Sequence, residues 1–185
     1  ILRALENTCL WVLQKGYENV ILDVVNETDV PRYEHEILTP TRVHELIQRA
    51  KEVQYGGKRL LAGTSFKGGA IPTGPVVSVS DFILIHGNGV EDPRQITEMV
   101  NTVRRMPEYR SMPILFNEDD HFDFEKDENN MMSAINAYAS WGFLECGDNN
   151  YRDGYQSPPV NWGVNTPLKK AFFEKVKEVT GGLMD

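Results

Sequence analysis

Short apolar runs alternate with segments of helical periodicity along most of this chain, and this alternation constrains the fold more than any other feature. The runs are nearly continuous and rich in β-branched residues, as expected for strands that are covered on both faces. They lie at residues 19–25, 59–62, 81–85, 112–116 and 141–144. Five strands are therefore predicted.

The segments between the strands carry apolar residues at helical spacing. Helices are predicted at residues 2–13, 41–53, 93–106, 127–139 and 167–179. The stretch 63–80 is rich in Gly, Pro and Ser and predicts a long loop with at most one helical turn. Such alternation favours an α/β domain with a parallel sheet and right-handed crossovers, either a barrel or an open doubly wound sheet.

The charge and composition exclude several classes of partner. The chain has 185 residues, of which 41% are hydrophobic, and a formal net charge of -8. An acidic surface repels phosphate backbones and anionic lipid, so neither nucleic acid nor a membrane is an expected partner. Cys9 and Cys146 lack metal-ligand spacing and are predicted to be small buried hydrophobes.

Polar residues follow directly on the predicted strands. Parallel strands end on the same side of a sheet, so these residues are expected to converge on one rim although they are far apart in sequence. The residues concerned are Asn26 and Glu27 after the first strand, His86 and Asn88 after the third, Asn117 and Glu118 after the fourth, and Trp141, Glu145 and Asp148 near the fifth.

Two carboxylates on one rim suit glycoside hydrolysis, in which one group protonates the leaving oxygen and the other attacks the sugar or activates water. Their separation sets the stereochemistry, at about 5 to 5.5 Å for retention and roughly 6.5 to 9.5 Å for inversion. Glu27 and Glu118 are the predicted pair. They lie 91 positions apart, which fits three βα units of about 30 residues each.

The two Asn-Glu strand ends make the chain resemble the retaining glycoside hydrolases with (β/α)8 TIM barrels, the clan that includes cellulases, mannanases and β-galactosidases. In this resemblance the sequences DVVNE, RLLAG, FILIHGN, PILFNE and WGFLE correspond to strands four to eight. The resemblance implies Glu27 as general acid/base, Glu118 as nucleophile and Asn26 as a donor to the sugar 2-hydroxyl. It implies no cofactor and no metal, and favours a secreted or periplasmic location.

Other rim residues have counterparts in the clan. His86 is similar to a polar residue that is frequent on strand six, and either Trp141 or Trp162 is similar to the strand-eight tryptophan that floors the sugar subsite. Two departures matter: Thr28 stands where many members have Pro, and strand six lacks the Tyr that hydrogen-bonds the nucleophile. Asn88 is the nearest polar substitute for that Tyr.

The resemblance covers residues 1–185 as the second part of a barrel, because nothing corresponds to strands one to three. Five parallel strands with two open edges would expose unpaired backbone groups. We therefore expect a fragment of a longer chain, a barrel whose first part is a separate chain, or a homo-oligomer that covers the edges.

Structural interpretations stand beside the functional ones. Either glutamate alone could cap a helix or form an ion pair, the asparagines could satisfy backbone groups at strand ends, and the acidic stretch after Glu118 could be a solvated loop. Asp23 shares the strand face of Glu27 and is expected to be hydrogen-bonded. The aromatic residues of the loop 147–167 could stack on sugar or hold the loop in place; they are Tyr151, Tyr155 and Trp162.

Two alternative functions remain open. In the first, a partial barrel binds carbohydrate without turning it over. In the second, the barrel is a metal-dependent, sugar-isomerase-like enzyme with an oxygen-rich Mg or Mn site. Its ligands would be Glu27, His86, Glu118, Asp120 and His121.

Overall fold

Five parallel strands lie in two small sheets in the computed structural model, which describes residues 1–145, 152 and 162–181. The first sheet pairs β1 with β2, and the second has the order β3-β4-β5. The strands are β1 (Ile21–Asp23), β2 (Leu61–Gly63), β3 (Ile83–His86), β4 (Ile114–Glu118) and β5 (Ser140–Trp141). The predicted α/β class with parallel pairing is confirmed.

Six α-helices and one 3-10 helix occur in the same residues. The α-helices are α1 (Leu2–Gln14), α2 (Val43–Glu52), α3 (Gly74–Val79), α4 (Pro93–Arg105), α5 (Asn130–Asn136) and α6 (Pro167–Val179), and the 3-10 helix is Glu36–Leu38. The six-residue α3 lies in the stretch predicted to be mostly loop. None of the helices in the described part of the chain is long and apolar enough to cross a bilayer.

Helix α4 shows how local sequence sets an element. Asp92 accepts a hydrogen bond from the Arg94 N–H as N-cap, and Pro93 occupies the first turn, where its missing N–H has no cost. The buried residues of α4 recur at helical spacing and face β3 and β4: Ile96, Met99, Val100 and Val103. Helix α5 is shorter than predicted: it begins at Asn130, because Asn129 caps it by accepting from the Met132 N–H, and it ends at Asn136.

The hydrophobic core consists of two clusters, one for each sheet. Helices α1 and α2 pack on the first sheet through buried residues that include Cys9, Leu46 and Ile47. Helices α4 and α5 cover the second sheet, where Ile85 and Phe116 are buried. Cys9 is a buried free thiol as predicted, whereas Cys146 lies outside the described residues.

The described strands form an open arrangement of two sheets and do not close into a (β/α)8 barrel. The ladder is interrupted between β2 and β3 because the Asp81 side chain accepts the Ala62 N–H at 3.0 Å, in place of a backbone carbonyl. The Asp81 N–H donates to the Ala62 carbonyl at 3.0 Å, so the two sheets remain neighbours. The Asp81 carboxylate thus joins the two sheets.

Two cationic side chains also bind Asp81. Arg59 donates to both of its carboxylate oxygens, at 2.7 and 3.0 Å, and the Lys51 Nζ lies 3.0 Å from Oδ1. Burial alone would raise the pKa of Asp81, but the hydrogen bonds from Arg59, the Ala62 N–H and Lys51 outweigh burial and lower the pKa from 3.8 to about 2. A depressed pKa means that Asp81 stabilises the fold above pH 4 and loses this contribution as the pH falls towards 2.

We expect Asp81→Asn to lower the free energy of unfolding at pH 7 by about 2 kcal/mol, the energy equivalent of this pKa shift. The difference from the wild type should shrink between pH 4 and pH 2, because the wild-type carboxylate becomes protonated there. Urea denaturation across this range measures it. Glu98→Gln, which breaks the exposed ion pair with Arg105, is the control and should cost under about 1 kcal/mol. A difference independent of pH would contradict the assignment.

Candidate functional site

Three titratable side chains meet where β1, β3 and β4 end. The His86 Nδ1 lies 3.1 Å from the Glu27 Oε1 and 3.5 Å from the Glu118 Oε2. One potential ligand atom from each residue lies within 4.8 Å of those of the other two. The structure therefore brings together the two glutamates that the sequence predicts as a pair, and it places an imidazole against both.

A β-bulge directs Glu118 towards this cluster. Ile85 pairs with Phe116, but the next residue, His86, pairs with Glu118. Asn117 is thus an extra residue in β4, and it is exposed. Without the bulge, the two-residue strand period would put Glu118 on the face of Phe116, which packs against helices. The bulge places it on the face of His86 instead.

Glu27 is held in a strained backbone conformation. Its φ is 49°, in the left-handed region that residues other than glycine rarely adopt. Ser65, just past β2, supports this turn: its Oγ accepts the Glu27 N–H at 3.0 Å and its carbonyl accepts the Thr28 N–H at 3.0 Å. The strain is maintained because two backbone donors at the turn are bound by one neighbour.

Ser65 also binds Asp23 beneath the cluster. The Ser65 hydroxyl donates to Asp23 Oδ2 at 2.7 Å, and the Ser65 N–H donates to Oδ1 at 3.2 Å. Burial raises the pKa of Asp23 above its ordinary value, and these hydrogen bonds with one from the Val25 N–H partly offset the increase. Asp23 is hydrogen-bonded, as the sequence predicts. The role of Ser65 was not predicted, because nothing in the local sequence distinguishes Ser65 from other loop serines.

Asn88 and His86 both contact the Glu118 carboxylate. The Asn88 Nδ2 donates to Glu118 Oε2 at 3.2 Å, which is the contact expected of a substitute for the absent Tyr. The His86 side chain is fully buried. Its Nε2 and the Asn88 Oδ1 are buried without a hydrogen-bond partner among residues 1–145, 152 and 162–181. A polar group left this way is costly unless a ligand or solvent meets it.

Arg32 and Asn26 border the cluster beside Glu27. The Arg32 Nη2 lies 3.7 Å from Glu27 Oε2, and 56% of the Arg32 side chain is exposed. The Asn26 carbonyl accepts from Arg32 and from the Tyr33 hydroxyl, whereas the Asn26 side chain is exposed. Arg32 was not among the predicted site residues, because Arg32 belongs to the irregular loop that follows Glu27. Asn26 lies at the rim but does not contact Glu118 or His86.

The predicted aromatic floor is placed only in part. The Trp141 indole N–H donates to Asp119 Oδ2 at 2.8 Å, and its ring contacts Phe124 and Phe172. The Trp162 residue is 75% exposed. Tyr151, Tyr155 and Asp148 lie outside the described residues. Trp141 therefore neighbours the residue after Glu118, and the choice between the two tryptophans stays a prediction.

The interpretation of the stretch after Glu118 as a solvated acidic loop is wrong for Asp119. Asp119 is fully buried and is bound by donors from three other positions in the chain. Asp120 is half-buried and accepts the Gly89 N–H at 2.9 Å. Two of the three donors to Asp119, Asn130 and Trp141, lie 11 and 22 residues away, so the local run of acidic residues does not indicate its burial.

Among the residues that the structure describes, two groups of side chains have potential ligand atoms close enough to hold a divalent metal. The first is Glu27 with His86 and Glu118, and the second is Asp119 with Asp120 and His121. In the second group, both Asp119 oxygens already accept protein hydrogen bonds. The first group is the better candidate because the His86 Nδ1 lies within 3.5 Å of a carboxylate oxygen of each glutamate.

Comparison of the chain with family models, with curated proteins and with solved structures found no match. The function is therefore inferred from the geometry of these residues.

We expect Ser65→Ala to destabilise the fold by about 1–3 kcal/mol, because it removes one donor from a buried carboxylate and the acceptor of the Glu27 N–H. The pKa of Asp23 should rise further. A raised carboxyl pKa lowers stability above the unfolded-state pKa, so the loss should be largest at neutral pH and smaller below pH 4. Urea denaturation at pH 7 and pH 3.5 measures it. Ser78→Ala, at an exposed serine of α3, is the control; equal losses in both variants would refute the assignment.

Proposed function

We propose that this protein is a retaining β-glycosidase that cleaves oligo- or polysaccharides by double displacement. The observation that carries the proposal is the approach of the Glu27 and Glu118 carboxylates to within 4.8 Å. The nearest ligand oxygens of the two glutamates thus lie no farther apart than 4.8 Å, which is compatible with the separation of about 5 to 5.5 Å between a nucleophile and an acid/base and shorter than the roughly 6.5 to 9.5 Å that inversion requires.

The fold supports a finer proposal, that the five strands correspond to strands four to eight of a (β/α)8 barrel. Neighbouring strands follow chain order, from β1 through the Asp81 junction to β5. A doubly wound sheet would reverse its order at a switch point, and the described strands show no reversal. Ile21 and Leu61 are paired neighbours and about half exposed, as expected on the inner face of an open barrel.

Each glutamate has surroundings suited to one role. Glu118 accepts from Asn88 and contacts the buried His86, and both contacts hold its carboxylate in a fixed position from which it can attack the anomeric carbon. Glu27 lies nearer the rim, beside the exposed Arg32. We assign Glu118 as nucleophile and Glu27 as general acid/base on these grounds.

In the first step, an oxygen of Glu118 bonds to the anomeric carbon while Glu27 gives its proton to the departing glycosidic oxygen. In the second step, Glu27 takes a proton from water, the water oxygen bonds to the anomeric carbon, and the bond to Glu118 breaks. The exposed Asn26 side chain is available to the 2-hydroxyl of the sugar.

We expect Glu118→Gln to lower kcat on an activated aryl β-glycoside at least 10⁴-fold, because the covalent intermediate cannot form. Glu27→Ala should lower it far less on the same substrate, since a good leaving group needs little protonation. Release of the aryl alcohol measures both. Glu125→Gln, an exposed glutamate in the same loop as Glu118, should keep wild-type rates.

Normal turnover by Glu118→Gln would end the proposal. A wild-type protein that binds oligosaccharide in calorimetry but turns over no aryl glycoside would indicate a carbohydrate-binding protein instead.

A second candidate, a metal-dependent enzyme acting on a sugar, is favoured by the convergence of Glu27, His86 and Glu118. Their donor set of one nitrogen and two carboxylates suits Mn or Zn. Nitrogen–oxygen distances of 3.1 and 3.5 Å between ligands are those that ligands of a single ion show. The glycosidase needs no ion at this point.

Chelation separates the two candidates. If the glycosidase proposal holds, exhaustive dialysis against EDTA should leave aryl glycoside turnover within about twofold of the untreated protein, because no step of the double displacement uses a metal. Elemental analysis of the same samples provides the control for metal removal. Activity that disappears with EDTA and returns with Mn²⁺ or Zn²⁺ would establish the second candidate.

A further inference from the structure

We infer that Asp119 is a positioning residue that holds the nucleophile Glu118 and the Trp141 indole in a fixed relation at the end of β4. This inference rests on the proposed function for its catalytic consequence. It concerns a residue that touches neither the sugar nor the reacting atoms.

Asp119 is the point where four parts of the chain meet. Its Oδ1 accepts the His121 N–H at 2.9 Å, and its Oδ2 accepts the Trp141 Nε1–H at 2.8 Å. The Asn130 Nδ2, from the first turn of α5, lies 3.0 and 3.2 Å from the two oxygens. Donors from the loop, α5 and β5 therefore fix one fully buried carboxylate that follows Glu118 directly.

The backbone of residues 118 and 119 is bound on both sides. The Glu118 carbonyl accepts the Gly87 N–H at 2.7 Å, and the Asp119 carbonyl accepts the Leu144 N–H at 2.8 Å. The Asp119 carboxylate also packs against Gly87, where an added Cβ would lie 2.3 Å from Oδ2. Since Gly87 follows His86, a displaced Asp119 would move the end of β3 as well as the end of β4.

An aspartate suits this position better than its amide. The three groups that hydrogen-bond the carboxylate are all N–H donors, and an ionised carboxylate only accepts. An asparagine would turn its NH₂ group towards Asn130, Trp141 or the His121 N–H, and one buried donor would lose its acceptor. Burial raises the pKa of Asp119, and the three donors oppose this. The Asp119 carboxylate thus has three hydrogen-bond donors within the protein.

The consequence for catalysis is geometric. Misplacement of a reacting group by about 1 Å can cost 10²-fold in rate. We expect Asp119→Asn to lower kcat on an activated aryl β-glycoside about 100-fold with KM changed less than threefold, because the sugar contacts at the rim are retained. Asp123→Asn, at an exposed aspartate in the same loop, is the matched control and should keep wild-type kcat. A kcat within threefold of wild type in Asp119→Asn would overturn the inference.

A second measurement does not depend on activity. In ¹⁵N-labelled wild-type protein the Trp141 indole N–H should exchange slowly with solvent, whereas that of Trp11, which belongs to an exposed residue, should exchange quickly. Asp119→Asn should abolish the protection of Trp141. If the wild type turns over no glycoside but Trp141 shows this behaviour, the proposed function fails while the anchoring holds. Unprotected Trp141 in the wild type would overturn the anchoring itself.

Asn130→Ala provides a second test of the inference if Asp119→Asn does not fold. It removes one donor to Asp119 and leaves Glu27, His86 and Glu118 unchanged. We expect it to lower kcat at least tenfold at a pH where circular dichroism shows a folded protein. Wild-type kcat in folded Asn130→Ala would also contradict the inference.

Discussion

The contact of one buried imidazole with two carboxylates is the interaction on which the rest of the site depends. The His86 Nδ1 lies within 3.5 Å of both Glu27 and Glu118, so three strand ends that are remote in sequence must keep a common register. Two carboxylates this close repel each other unless a donor or a proton lies between them. His86 and Asn88 supply donors, and a glycosyl ring would occupy the remaining space.

Polar groups in the interior maintain this geometry. Asp81 replaces a backbone acceptor at the junction of the two sheets, Ser65 binds both Asp23 and the turn at Glu27, and Asp119 joins β4 to α5 and β5. The carboxylates of Asp23, Asp81 and Asp119 each accept at least three hydrogen bonds, which reduce the cost of burying their charge. The apolar clusters hold the helices on the sheets, whereas these carboxylates set where the strand ends lie.

Much of the fold follows from periodicity alone. The strand and helix order, the parallel pairing and the convergence of Glu27 with Glu118 could be predicted, because strand direction and chain order determine which residues share an edge. The bulge at Asn117 could not be predicted, since the sequence around Asn117 differs little from that of a regular strand end. The burial of Asp119 and the support from Ser65 depend on partners more than ten residues away, which local patterns do not reveal.

The most direct test of the account is to trap the covalent intermediate. A 2-deoxy-2-fluoro aryl β-glycoside forms the glycosyl-enzyme faster than water removes it, so the label accumulates on the nucleophile. Mass spectrometry of the digested protein should then find one glycosyl adduct, on the peptide that contains Glu118. An adduct on Glu27 would reverse the assigned roles, and turnover of the parent glycoside with no adduct on Glu118 would contradict the central claim.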